Sequence, residues 1–435
     1  MGARETALHV VIACRKEGGW SNGVLKSYTV RDRLDRREAA LASHLCYGVL
    51  QNRLKLDFYL QQLLTGKVKD LHPLVRDILH LGLYQMRMMD KIPDSAAVNE
   101  SVALTKKYCP KVRSAPGLVN AVLRRATTEE LQEPKSYVEK YSHPQALVDL
   151  LKGYVGKDRL EAMLKANNDI APMTVQVNTL RTTAQALQSI LEAEGITAQP
   201  HGWLPNCLVL TGTGSLEQLQ AFRDGLFYVQ DPAAKLSVLC AQIPEHSRVL
   251  DCCAAPGGKS FAAAMAMHGT GSVTSCDIHD HKIPLIEKGA QRLGISNLTA
   301  LCHDGAVFNP DWECAMDAVI ADVPCSGYGI IRKKPDIRYK DPKTMEDLPE
   351  LQLQILRNQA RYVKPGGVLL YSTCTLVRAE NEGVVEAFLQ ENKEFTLEPL
   401  ALPDIFPKNE TGMLALVPGQ YDTDGFFMAR LRKKL

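Results

Sequence analysis

Two cysteines occupy polar turns that directly follow apolar, strand-like runs. Cys325 lies in ADVPCSGYG and Cys374 in YSTCTL. A thiolate is a soft nucleophile, and an acid beside it can hold a proton as bonds rearrange. Asp322, three residues before Cys325, is such an acid. Alone, a cysteine at a strand end is ordinary packing. Two of them in such turns, with Asp322, point to covalent nucleophilic catalysis. A disulfide or a pair of metal ligands is the competing reading.

A third segment, VLDCCAAPGGKS (residues 249–260), runs from a strand through a loop of small residues into the helix FAAAMAMHG. Gly257 and Gly258 let backbone approach a ligand closely, and the helix behind them starts with unpaired N–H groups. Cys253, Ala254, Ala255, Pro256, Gly257, Gly258 and Lys259 are therefore a candidate cradle. The tail GGKS is shared with phosphate-binding P-loops, but that motif needs glycine where Cys253 stands, and GxGxxG is absent. Asp277 ends the next strand-like run and is placed to accept hydrogen bonds from both hydroxyls of a ribose. Asp304, in CHDGA, ends the third and is placed to read an adenine amino group. Each acid alone is a strand-end cap; three successive strand ends after a glycine loop read as an adenosine pocket.

These residues need a sheet to align them. From residue 231 onward, SRVLDCC, GSVTSCDI, LTALCHD, DAVIADVPC and GGVLLYSTC alternate with helical stretches. The pattern predicts a mostly parallel α/β sheet with its chemistry at the carboxyl ends of the strands. Before it, MTVQVNTL, TAQALQSILEAEG, ITAQPH, CLVLTG, SLEQLQAFRDG and LFYVQD read as βαββαβ, an order used by many small RNA-binding domains and some metabolic enzymes. Residues 1–125 carry apolar residues at helical spacing throughout. Residues 126–145, polar and with two prolines, read as a linker, and 146–168 as a helical pair.

The chain has 435 residues, 45% apolar and 23% charged, enough apolar residue to build several cores. Its net charge is only +2, but residues 1–125 hold 21 Lys and Arg against 11 Asp and Glu. A basic third on an acidic body suggests a polyanionic partner there. The segment IIRKKPDIRYK (330–340) has five basic residues beside the Cys325 turn and predicts phosphate contacts, with a solvated loop as the plain alternative. The twelve cysteines include no CxxC pair, so no zinc site is expected, and their scatter fits free thiols in a reducing cytoplasm. No apolar run is long enough to span a membrane, and no export signal is read.

DCCAAPGGK, DVPCSG and YSTCTL resemble the motifs of the RNA cytosine-5 methyltransferases of the NOL1/NOP2/Sun family. VNESVALTKKY and LVNAVLRR, in residues 1–125, resemble the NusB-type RNA-binding domain. The resemblance covers nearly the whole chain. It implies three parts: an all-α NusB-like domain (1–130), a linker plus small α/β ferredoxin-like subdomain of the RRM kind (131–230), and a class I Rossmann-like methyltransferase domain (231–435). It implies S-adenosyl-L-methionine as cofactor, small-subunit rRNA as partner with a single-stranded or flipped cytosine as target (cytosine 967 in the family), and a monomer.

The same resemblance assigns roles. Cys374 would attack C6 of cytosine, Cys325 would assist breakdown of the adduct, and Asp322 would hydrogen-bond the base edge. The loop 253–259 would cradle the methionine portion, Asp277 the ribose and Asp304 the adenine, with Asp322 bordering the cofactor. Lys259 matches a family lysine or else neutralises Asp251 or Asp322. Tyr328 would stack on RNA or pack in the core, and Gln230 and Asp231 line the site. Val323 departs from the usual alanine, and Gln176 from a frequent arginine, which would weaken an RNA contact. The competing function is an RNA-binding assembly or antitermination factor on a non-catalytic cofactor-binding scaffold. Methylation of an exocyclic amine is a further alternative, but DVPC replaces the Asn/Asp-Pro-Pro-aromatic turn common there.

Overall fold

The computed structural model describes residues 2–17 and 21–435. The chain divides into two compact units, residues 1–169 with 331–341, and residues 170–330 with 342–435.

The first unit is helical: α1 (Ala3–Glu17), α2 (Ser21–Arg31), α3 (Arg36–Leu63), α4 (Pro73–Met88), α5 (Asp94–Tyr108), α6 (Ala115–Thr128), α7 (Tyr137–Lys140), α8 (Gln145–Val155) and α9 (Lys157–Ala166). The helix starts follow local chemistry. The Asp35 side chain caps α3 by accepting from the Glu38 N–H at 2.8 Å, and Pro73 sits in the first turn of α4, where no N–H is needed. Leu8, Leu45, Leu56, Leu60, Ile78 and Val119 are fully buried in one core. Each such side chain contributes roughly 1.5–3 kcal/mol of burial.

The segment read as a linker belongs to this unit and is packed. Leu131 is 7% exposed, His143 is buried, and Glu133 accepts a hydrogen bond from the Tyr59 hydroxyl at 2.7 Å. Pattern reading misses this because the partners that hold it, such as Tyr59 for Glu133, lie far along the chain.

Residues 331–341 also belong to the first unit. Ile331 and Ile337 are fully buried, and Arg338 is 2% exposed. Arg338 is thus withdrawn from any phosphate, contrary to the expectation for this basic stretch. Its guanidinium is surrounded instead by carbonyl oxygens of the first unit.

The second unit opens with β1 (Met173–Val177), α10 (Ala184–Ala193), β2 (Thr197–Pro200), β3 (Cys207–Thr211), α11 (Gln220–Arg223) and β4 (Phe227–Val229). They form an antiparallel sheet of order β2-β3-β1-β4, the split βαβ arrangement of a ferredoxin-like domain. Leu187 and Leu191 of α10 pack on Val175, Val177, Leu208 and Phe227 of the sheet. Gln176 is fully buried and donates to the Gln230 carbonyl at 3.2 Å, so it offers RNA nothing.

After α12 (Pro232–Ala241) comes the larger sheet: β5 (Arg248–Asp251), α13 (Gly258–Ala266), β6 (Ser272–Asp277), α14 (Ile283–Leu293), β7 (Leu298–Cys302), β8 (Met316–Asp322), α15 (Leu348–Tyr362), β9 (Val363–Thr373), α16 (Glu382–Glu391), β10 (Phe395–Leu397), β11 (Met413–Leu416) and β12 (Phe426–Lys433). The order is β10-β12-β9-β8-β5-β6-β7, with β11 paired to β12. β7, β6, β5, β8 and β9 run parallel, and β12 is antiparallel to β9. The chain winds outward from β5 to β7 and returns to place β8 beside β5. That reversal opens a crevice at the carboxyl ends of the strands, where ligands of such sheets bind. Helices cover both faces, which is why β8 and β9 read as nearly unbroken apolar runs.

Candidate active site

Five parallel strands deliver their last residues to one edge. Asp251 ends β5, Asp277 ends β6, Asp304 follows β7, Asp322 ends β8 and Cys374 follows β9. In-register pairing fixes the relation: Asp322 lies opposite Ser372 across the β8–β9 ladder.

Asp322 is held from two sides. Its Oδ2 accepts from Lys259 Nζ at 2.6 Å, and its Oδ1 accepts from the Ser372 hydroxyl at 2.7 Å. Burial opposes the charge on Lys259, but the Asp322 carboxylate outweighs it and raises the ammonium above the ordinary lysine range. The Lys259 Nζ also lies 5.1 Å from the Phe426 ring centroid. Lys259 thus takes the partner Asp322 rather than Asp251.

Asp251 is fully buried. Ser260 donates to its Oδ2 at 2.7 Å, and Ser275 in turn donates to Ser260 at 2.8 Å. Burial pushes the Asp251 carboxyl up to about 7, the Ser260 hydroxyl pulling it down only in part.

The two cysteine turns meet. Cys325 Sγ lies 3.0 Å from Cys374 Sγ, and the Cys374 N–H points at Cys325 Sγ at 3.3 Å; both are free thiols. The hydrogen bond with Cys374, together with burial, pushes the Cys325 thiol well up.

Sequence reading missed the residues that hold these turns. Glu380 accepts from the Ser326 N–H and from the Gln352 amide, both at 2.9 Å, and Gln352 also donates to the Pro324 carbonyl. Asn381 accepts from the Thr373 hydroxyl at 2.6 Å and donates to the Thr375 carbonyl at 3.1 Å. Only the polar RAEN run after YSTCTLV hinted at them. Gly329 donates to the Cys374 carbonyl at 2.9 Å; a Cβ there would sit 2.0 Å from the Gly425 carbonyl oxygen, so this approach needs glycine. Tyr328 is 3% exposed and packs in the core, leaving no ring face for RNA.

An open cleft of roughly 460 Å³ adjoins the pair, lined by Cys253, Ala255, Asp277, Asp304, Asp322 and Pro324 among others. Asp277 accepts the His279 N–H and Asp304 the Ala306 N–H, each through Oδ1. Among the described residues the other oxygen of each acid has no protein donor, which fits a ligand bearing hydroxyl and amino groups. Ala254, Gly257 and Gly258 shape the loop behind the cleft rather than lining it, and Pro256 is exposed. Gly257 has φ 111°, and a Cβ there would meet the Phe261 ring at 2.4 Å. Gln230 packs against Gly258, while Asp231 caps α12. Among the described residues no cluster of three or more His, Cys, Asp or Glu could hold a metal, and no helix is long and apolar enough to cross a membrane.

A sheet of this order, with a small-residue loop after its first strand and acids ending the next two, defines a class I methyltransferase dependent on S-adenosylmethionine. Comparison with known proteins narrows the class. Residues 238–432 match the family model for 16S rRNA methyltransferase RsmB/F, residues 1–128 the NusB family, and residues 143–217 the ferredoxin-like domain of RsmF/B-like methyltransferases. The probable ribosomal RNA small subunit methyltransferase B of Bacillus subtilis is 35% identical, over 99% of this chain and 98% of its own. That of Synechocystis is 32% identical over all of both chains. The crystal structure of PH0851 shares the fold, with 24% identity and a TM-score of 0.83 over 99% of this chain and 98% of that one. The chain belongs to the ribosomal RNA small subunit methyltransferase B family.

Proposed function

We propose that the protein methylates C5 of a cytosine in small-subunit rRNA through a covalent Cys374–C6 adduct, with cytosine 967 the target position. The observation that carries this reading is the pair of free thiols 3.0 Å apart beside the Lys259–Asp322 pair.

C5 of cytosine is too weak a nucleophile to take a methyl group unaided. The Cys374 thiolate adds to C6, and the electron pair of the C5–C6 bond moves into the ring, making C5 enamine-like. Asp322, kept in place by Lys259 and Ser372, hydrogen-bonds the cytosine edge and stabilises a proton at N3 as charge builds there. Bound S-adenosylmethionine supplies the electrophilic methyl that C5 receives. Water takes the C5 proton, the C–H electron pair re-forms the C5–C6 double bond, and Cys374 leaves C6 with the electron pair of the C–S bond, which restores the aromatic ring. Cys325, a thiol whose ordinary state is protonated, assists that breakdown from its place against Cys374.

Asp277 would hold the ribose, Asp304 the adenine amino group, and the loop from Cys253 to Lys259 the methionine portion. The target base must leave its stack to reach Cys374, so the substrate is single-stranded or flipped. The basic first unit would add RNA affinity independent of sequence.

The test is transfer of labelled methyl from S-adenosylmethionine to unmodified small-subunit rRNA, with the product nucleoside identified. Wild type yields 5-methylcytidine. Cys374→Ala yields none while its affinity for S-adenosylmethionine is unchanged. Label in another nucleoside, or near-normal turnover by Cys374→Ala, refutes the mechanism.

A further inference from the structure

The chain between Asp322 and Gln352 makes a closed excursion. It leaves β8, forms the Cys325 turn and is pinned at Gly329, whose N–H donates to the Cys374 carbonyl and whose carbonyl accepts from Gly425. Two residues later, at Ile331, it enters the first unit, and it leaves that unit after Asp341. It then forms α15, where Gln352 donates to the Pro324 carbonyl and to Glu380. Both ends of the excursion therefore hold the Cys325 turn.

What fixes its middle is Arg338. Its guanidinium donates to the carbonyl of Gln51 at 3.0 Å, of Ser142 at 3.2 Å and of Asn167 at 3.4 Å, and to Asn168 Oδ1 at 2.9 Å. Asp336 adds a second anchor by accepting from the backbone N–H and hydroxyl of Ser21. An arginine so enclosed has one conformation, and its delocalised charge suits a cage of carbonyls. The anchored stretch begins two residues after Gly329, so little slack separates it from the catalytic turn.

We propose that Arg338 is a positioning residue for the Cys325 turn: through the chain that joins them, the helical unit sets the rate of the reaction and not only the affinity for RNA. The inference rests on the role given to Cys325 above. It adds to the helical unit, beyond binding, a share in the geometry of catalysis.

The full-length protein tests it with three variants: Arg338→Ala, Arg338→Lys, and insertion of two glycines between Ile330 and Ile331. The insertion leaves the arginine cage intact and only lengthens the connection, so it decides the matter even where Arg338→Ala fails to fold. Arg338→Ala and the insertion should each lower kcat by about 10- to 100-fold, with KM for RNA and for S-adenosylmethionine changed by less than about twofold; Arg338→Lys should recover part of the loss. An unchanged kcat for the insertion overturns the proposal, as does a change confined to KM for RNA. Cys325→Ala is run beside them. If it turns over normally, the role of Cys325 falls and the positioning role with it. If it is impaired while the insertion is not, only the positioning role falls.

Discussion

The Sγ of Cys325 lies 3.0 Å from that of Cys374, and the Cys374 N–H points at the same Cys325 sulfur. The two thiols sit on turns 49 residues apart in sequence. The β8–β9 ladder brings the turns together, and Glu380, Gln352 and Asn381 fix their shape. The arrangement divides labour between chemically identical groups. In the proposed mechanism Cys374 is the nucleophile, and Cys325, its thiol pushed up by the hydrogen bond with Cys374 and by burial, would give a proton to the departing Cys374 sulfur.

Replacing Cys325 should therefore stall the reaction after the adduct has formed. Cys325→Ala incubated with rRNA and S-adenosylmethionine is expected to show a slow protein–RNA band on a denaturing gel. Full activity without such a band would remove Cys325 from the mechanism.

In the proposed mechanism Asp322 would carry the base-edge contact, and Ser372, which donates to it, would only orient it. Asp322→Asn should lower kcat by roughly 10²–10⁴-fold, the range lost with a general acid–base group. Ser372→Ala removes one hydrogen bond to a charged group, which costs about 1.5–3 kcal/mol, and its loss of rate should be clearly the smaller. Steady-state kinetics of both variants decide this, and equal losses would contradict the division of roles.

Asp251 makes stability depend on pH in an unusual direction. Its carboxyl titrates at about 7 in the folded chain and near 4 when unfolded. Between those values the folded state binds the extra proton, so this group's contribution to stability falls as pH rises from about 4 to about 7 and stays low above. Asp251→Asn removes that slope. Its melting temperature relative to wild type should rise with pH across this window, measured by differential scanning calorimetry. A difference that is constant with pH would contradict the burial argument.

Gly257 combines a positive φ with contact against the Phe261 ring. Gly257→Ala meets both backbone strain and a clash, worth together about 1–3 kcal/mol. Thermal unfolding should register the loss, and titration calorimetry a weaker affinity for S-adenosylmethionine. Wild-type values for both would show that the loop tolerates a side chain.

By itself the sequence determined the local chemistry and the order of the elements. Period and composition are local, so the helical first third, the βαββαβ subdomain and the alternating strands and helices could be read directly. So could the acids and cysteines at strand ends, because an apolar run that stops at a polar turn marks the edge of a sheet. The tertiary structure decided which of these residues meet. Lys259, in the first turn of α13, pairs with Asp322 at the end of β8 rather than with Asp251. On sequence Gln176 would weaken an RNA contact, and Tyr328 would either stack on RNA or pack in the core; both are buried, since exposure depends on neighbours far along the chain. The basic run at 330–340 shows the limit most clearly. Five charges in eleven residues suggest a surface for phosphate, but Arg338 is enclosed by carbonyls contributed from residues 51 and 142–168. A buried arginine and an exposed one have the same letter; only the fold supplies the acceptors that make burial stable.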